Sequence, residues 1–105
     1  DITPPTDPTD LATASLPTDT TPDYTWTASD DLHSELAAYE IYWALASAGS
    51  CAAAAPNQDD EAGESFTLAT PLTGGAADYR ICVRARDKAG NTSGWAEDVF
   101  TFTPP

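Results

Sequence analysis

The chain has 105 residues, 17 acidic and 4 basic, and a formal net charge of -13. A phosphate backbone or an anionic lipid surface is held by clustered Lys and Arg, so this balance argues against nucleic-acid binding and membrane docking. No apolar run approaches the roughly 18 residues of a spanning helix, and a chain this short buries only about 60–68% of its unfolded surface, which argues against a spacious internal active site.

Residues 1–10 carry three prolines and three aspartates. Proline cannot donate to a β-ladder, so this stretch reads as a linker or a protected lead-in to a strand. Thr103-Pro104-Pro105 repeats Thr3-Pro4-Pro5 and reads as the start of a second linker, leaving residues 1–105 as one domain, a mature fragment or an excised unit.

Between the ends, short β-type runs alternate with turn-rich gaps. Leu11–Leu16 is the first expected strand, closed by Pro17-Thr18-Asp19. The second is Tyr24–Thr27, where aromatics alternate with Thr before Ser29-Asp30-Asp31. In Glu35–Ala55, Ala favours helix while Tyr, Ile and Trp favour strand; 39–45 is read as the third strand because a sandwich needs a partner there, and 46–56 as a loop or short irregular strand. Asn57–Glu64 reads as an exposed acidic turn. Ser65–Leu68 alternates again. Tyr79–Arg86 is the clearest strand, with Tyr79, Ile81, Val83 and Ala85 on one face. Asp87–Asn91 is a turn whose Gly and Asn suit positive φ, and Val99–Phe102 is the last strand. This spacing predicts an all-β fold of two antiparallel sheets over one core. Leu11, Trp26, Tyr39, Ile41, Phe66, Leu68, Leu72, Tyr79, Ile81 and Val83 are its expected members.

Cys51 and Cys82 are the only cysteines. An even count in a small acidic chain fits one disulfide formed in an oxidising compartment, the alternative being two buried thiols. On the chain-entropy model the closed loop stabilises the fold by up to about 3.7 kcal/mol. No CxxC or Cys/His cluster points to zinc.

Several segments in this order resemble bacterial fibronectin type III domains. They are the opening DITPPTDPTDL, then YTWTASDD with Trp26 at the position of the core Trp, YEIYW, SFTLATPL, and ADYRICVRARDKAGNTS. Leu72 and Tyr79 match the Leu…Tyr pair of the family's tyrosine corner. The resemblance runs the length of the chain and implies a seven-stranded antiparallel β-sandwich. It also implies an extracellular spacer or binding module without catalysis of its own. Bacterial Ig-like adhesin repeats share the DxTPP and DxAGN elements. The cysteine pair, the Ala-rich insert after YEIYW and the acidity depart from the family pattern.

Three constellations are candidates for function. Arg80, Arg84, Arg86 and Lys88 share one strand parity and fall on the outer face with Cys82. They are expected to pair with acids such as Glu40 and Glu97, or to form with Tyr42 a ligand-binding strip for a glycan or a surface protein. The fibronectin-like topology implied by the resemblance would bring Asp30 and Asp31 near Asp87 and Asn91 at one pole, with Asp1 or Asp7 close, as candidate ligands for calcium, which takes six to eight oxygens; the competing reading is that they cap turns. No other cofactor is expected. The single His33 lies between Asp31 and Glu35 without a nucleophile elbow, so no catalytic residue is assigned. The expected role is an accessory or spacer module of a larger bacterial secreted or cell-surface protein. Its expected partners are neighbouring domains of the same polypeptide, and the isolated unit is expected to be monomeric. A ligand-binding module and a calcium-rigidified adhesin repeat are the alternatives.

Overall fold

The computed structural model describes residues 3–30, 35–48, 51, 58–68 and 71–104. Its strands are, in chain order, β1 (Thr9–Ala12), β2 (Asp23–Thr27), β3 (Leu36–Leu45), β4 (Gln58–Glu61), β5 (Ser65–Thr67), β6 (Ala77–Asp87) and β7 (Ala96–Phe102); a 3₁₀ turn, Ala46–Ala48, follows β3. They form two antiparallel sheets, ordered β1-β2-β5 and β4-β3-β6-β7.

Period-two alternation sets which face each strand buries. In β2, Tyr24 and Trp26 are buried between exposed Asp23, Thr25 and Thr27; Phe66 does the same in β5. In the other sheet, Ile41 and Tyr39 lie opposite Val83 and Ala85, and Phe100 and Phe102 of β7 complete a shared core with Leu68, Leu72 and Ile81. Trp26 meets Tyr39 edge-on at 5.2 Å, and Tyr79 meets Phe102 edge-on at 6.4 Å. Edge-on pairs of this kind add about 0.5–1.5 kcal/mol beyond area burial. Polar ends of the buried tyrosines find partners. The Tyr39 hydroxyl accepts the Ser29 N–H at 3.0 Å. The fully buried Tyr24 spans the sheets and donates to Asp98 Oδ2 at 3.0 Å. Burial, then the Asp98 charge and the hydrogen bond to it, push the Tyr24 hydroxyl well above its ordinary range. Asp98 sits opposite Ile81, an inward-facing charge on an edge strand, which discourages another chain from pairing there.

Four expectations are corrected. β1 is Thr9–Ala12 rather than Leu11–Leu16. Asp10 adopts a left-handed φ of 59°, and beyond Ala12 the hydroxyls of Thr13 and Ser15 bond the backbone C=O and N–H of Asp23 in place of a ladder. The acidic 57–64 segment contains a strand, because β3 leaves one edge open and Gln58–Glu61 pairs along it, with Glu61 opposite Tyr39 and Gln58 opposite Ile41. The last strand begins at Ala96, three residues before Val99. Leu11 and Tyr79 lie at the core margin rather than within it, while Tyr24, Ala85, Phe100 and Phe102 are full members.

The chain comes in at one pole and leaves at the other. Pro5 and Pro8 are buried. Thr6 N–H donates to Asp30 O at 2.9 Å, and Asp7 Oδ1 accepts the Gly94 N–H at 2.8 Å, beyond the end of β2 and before the start of β7. After β7, Thr103 N–H donates to Pro17 O at 2.8 Å, ahead of the start of β2. The body measures 47 × 24 × 19 Å.

Candidate functional site

The outer face of β6 carries Arg80, Arg84 and Arg86, and Lys88 lies just past the strand's end. Antiparallel register sets Glu40 opposite Arg84, Ala38 opposite Arg86, Tyr42 opposite Cys82 and Ala44 opposite Arg80. Directly opposed residues share a face with Cβ atoms about 5 Å apart. Glu40 is only 7% exposed. Its Oε1 accepts from Arg84 Nε at 2.6 Å and its Oε2 from Arg86 Nη1 at 3.1 Å, so both oxygens carry charge-assisted bonds. The Arg84 guanidinium also lies 4.5 Å over the Trp95 ring. Arg80 Nη1 bonds Glu97 Oε2 at 3.3 Å and its Nη2 bonds Ala46 O at 3.5 Å. Lys88 Nζ bonds Glu35 Oε2 at 2.7 Å, and that bond and charge hold the Glu35 carboxyl below its ordinary value.

Cys82 lies in the middle of this outer face and is nonetheless fully buried. The cause is Cys51, which is disulfide-bonded to it across a Cα–Cα distance of 6.0 Å and is itself 3% exposed. Glu97, opposite Cys82 on β7, brings Oε2 within 3.0 Å of Cys51 Sγ. Tyr42 is half-buried, and its cross-strand neighbour is Cys82; the aromatic partner of Arg84 is Trp95. Trp95 and the nearness of Glu97 to the sulfurs are the features that reasoning from sequence missed. The register that reveals Glu97 depends on starting β7 at Ala96.

At the N-terminal pole, Asp87 is 1% exposed. Its Oδ1 accepts the Asn91 N–H at 2.8 Å and its Oδ2 accepts Asn91 Nδ2 at 3.1 Å. This closes the turn in which Gly90 takes a φ of 94°. Asp30 is exposed, and its N–H donates to Thr6 Oγ1 at 2.8 Å. Asp31 and His33 lie outside the described residues. Among the described residues, Cys51, Cys82 and Glu97 form a trio whose ligand-type atoms all lie within 4.8 Å of one another; Asp7, Asp30 and Asp87 form no such trio.

No family model matches the chain, and no curated protein matches it. A solved structure, that of a Fn3-like protein from Clostridium thermocellum, is similar over 98% of this chain and 96% of that one, with 19% identity and a TM-score of 0.69. The strand order agrees with that likeness. A constant-type Ig sandwich carries its fourth strand beside the fifth, on the sheet of the first two, whereas here β4 pairs with β3. At this level of identity the likeness is one of fold, and the fold of this chain is fibronectin type III-like.

Proposed function

We propose that this domain is a non-catalytic accessory module, a β-sandwich spacer between neighbouring domains of a larger bacterial secreted or cell-surface protein. The observation that carries the reading is the arrangement of the two ends. The flanking segments are pinned at opposite poles of a body 47 Å long, so a following domain is held away from a preceding one. The buried disulfide suits an oxidising compartment, and the net charge of -13 favours solubility and repels like surfaces. The basic strip is engaged internally: Arg80, Arg84, Arg86 and Lys88 each hold a carboxylate.

The test places one, two or three copies in tandem between two spin-labelled reporter domains. The label separation, read by pulsed electron resonance or small-angle scattering, is expected to rise by close to the 47 Å body length with each copy. Reporters that stay at one separation as copies are added overturn the spacer reading. A glycan screen decides against the alternative: binding that is lost in both Tyr42→Ala and Arg84→Ala makes the outer face a ligand site instead.

A further inference from the structure

We infer that Cys51, Cys82 and Glu97 form a redox-gated zinc site, closed while the disulfide stands and opened when a dithiol reduces it. A dithiol of the dithiothreitol class supplies two electrons and two protons. The Cys51–Cys82 S–S bond breaks, two thiols form, and the dithiol leaves as its own cyclic disulfide. Zinc then displaces both thiol protons to solvent and takes two thiolates and the Glu97 carboxylate.

The geometry carries this. The candidate ligand atoms lie within 4.8 Å of one another, and the Glu97 Oε2 to Cys51 Sγ approach is 3.0 Å. A disulfide sulfur has no proton to donate, so this approach is not a hydrogen bond. Tetrahedral zinc with Zn–S near 2.3 Å sets two sulfurs about 3.8 Å apart. Reaching that spacing after reduction takes a side-chain rotation at Cys51, which lies outside the strands. Cys82 and Glu97 stay fixed opposite each other by the β6–β7 ladder. The sulfurs are buried while the Glu97 side chain is 51% exposed, which provides the path by which an ion arrives. Two sulfurs and one carboxylate leave the fourth tetrahedral position for water, the pattern of an open rather than a closed site.

Charge points the same way. Two thiolates and a carboxylate exceed the charge of zinc by one, and an unbalanced charge among buried groups is costly. Arg80, whose Nη1 lies 3.3 Å from Glu97 Oε2, supplies the missing positive charge. It also orients the carboxylate, as an outer-shell partner of a metal ligand does.

The test compares oxidised protein with protein reduced by dithiothreitol and freed of it without air. Cobalt(II) is added first and zinc second. The reduced protein is expected to bind one cobalt with thiolate-to-metal charge-transfer bands and the visible bands of a tetrahedral ion, and zinc is expected to displace it. The oxidised protein is expected to show neither. Glu97→Gln is expected to keep the thiolate bands and lose at least roughly tenfold in zinc affinity, the scale of even an outer-shell loss; Cys51→Ser is expected to lose the charge-transfer bands. Equal binding by the oxidised form, no binding by the reduced form, or unchanged affinity in Glu97→Gln overturns the inference. If reduction unfolds the domain, circular dichroism decides. Refolding on zinc addition supports the site, and a chain that stays unfolded with zinc overturns it.

Discussion

Removing Glu40 tests what holds the outer face together. Its carboxylate lies between Arg84 and Arg86 with 9% of the side chain exposed, while the two arginines keep 26% and 27%. Breaking a buried ion pair from one side costs about 3–5 kcal/mol because the remaining charge is stranded. Here the stranded charges are partly wet and Arg84 retains the Trp95 ring, so Glu40→Ala is expected to cost about 2–3 kcal/mol, in line with losing two hydrogen bonds to charged groups after partial rehydration. For a domain of this size that lowers Tm by roughly 10–20 °C. Urea unfolding of the oxidised protein measures it as a lower midpoint at an unchanged slope. Glu35→Ala is the internal comparison: its pair with Lys88 is exposed, and solvent screening leaves no resolvable shift in midpoint. Replacing the trio together, as Glu40→Leu, Arg84→Met and Arg86→Leu, is expected to recover most of the loss, since well-packed apolar groups often match a buried ion pair. A Glu40→Ala midpoint no lower than that of Glu35→Ala would refute the reasoning.

Cys51→Ala with Cys82→Ala is expected to lose up to about 3.7 kcal/mol of unfolding free energy by urea titration. Tyr24 titrates above its unfolded value of 10.0. The unfolded chain therefore gives up that proton first, and the contribution present below pH 10 is lost as pH rises toward the folded value. Alkaline denaturation curves are expected to show this slope, and Tyr24→Phe is expected to lack it. Asp87→Ala leaves the Asn91 N–H and Nδ2 without their acceptor and is expected to cost about 2–3 kcal/mol. A ligand raises stability only through a site in the native state, so a saturating rise of Tm with calcium that is lost in Asp87→Ala is the outcome that would support the adhesin-repeat reading, and a flat titration the outcome that would count against it.

The fold was legible where one face of a strand is apolar and the other polar. Tyr24-Thr25-Trp26-Thr27 and the run from Tyr79 to Arg86 declare their buried faces by alternation alone, and that alternation also located the arginines opposite Glu40 and near Glu97. Gln58–Glu61 was illegible for the opposite reason. Its residues have little intrinsic preference for strand, and it pairs because β3 presents a free edge, a tertiary effect that outweighs propensity. The first strand slipped because Asp10 turns the backbone left-handed, which a short polar side chain tolerates but does not announce. At the turn, Asp87 and Asn91 are spaced alike for capping and for holding an ion; the structure has them bonded to each other. The bond from Tyr24 to Asp98 joins residues 74 apart on different sheets, and no local pattern encodes it.

The positions of the two ends also determine how the domain meets tension. Pulled from Thr6 and Thr103, the body is loaded along its length. β1 bears on β2 in shear, with the bonds of the ladder sharing the load rather than opening one at a time. If the sheets then part, the bond between Cys51 and Cys82 withholds the 31-residue span between them, about 100 Å of extended chain at roughly 3.4 Å per residue. Force would draw out the first and last portions of the polypeptide, while Ala77–Cys82 of β6 stays inside the closed loop. A stretched unit would thus stop short of full extension, with a covalent limit on its travel.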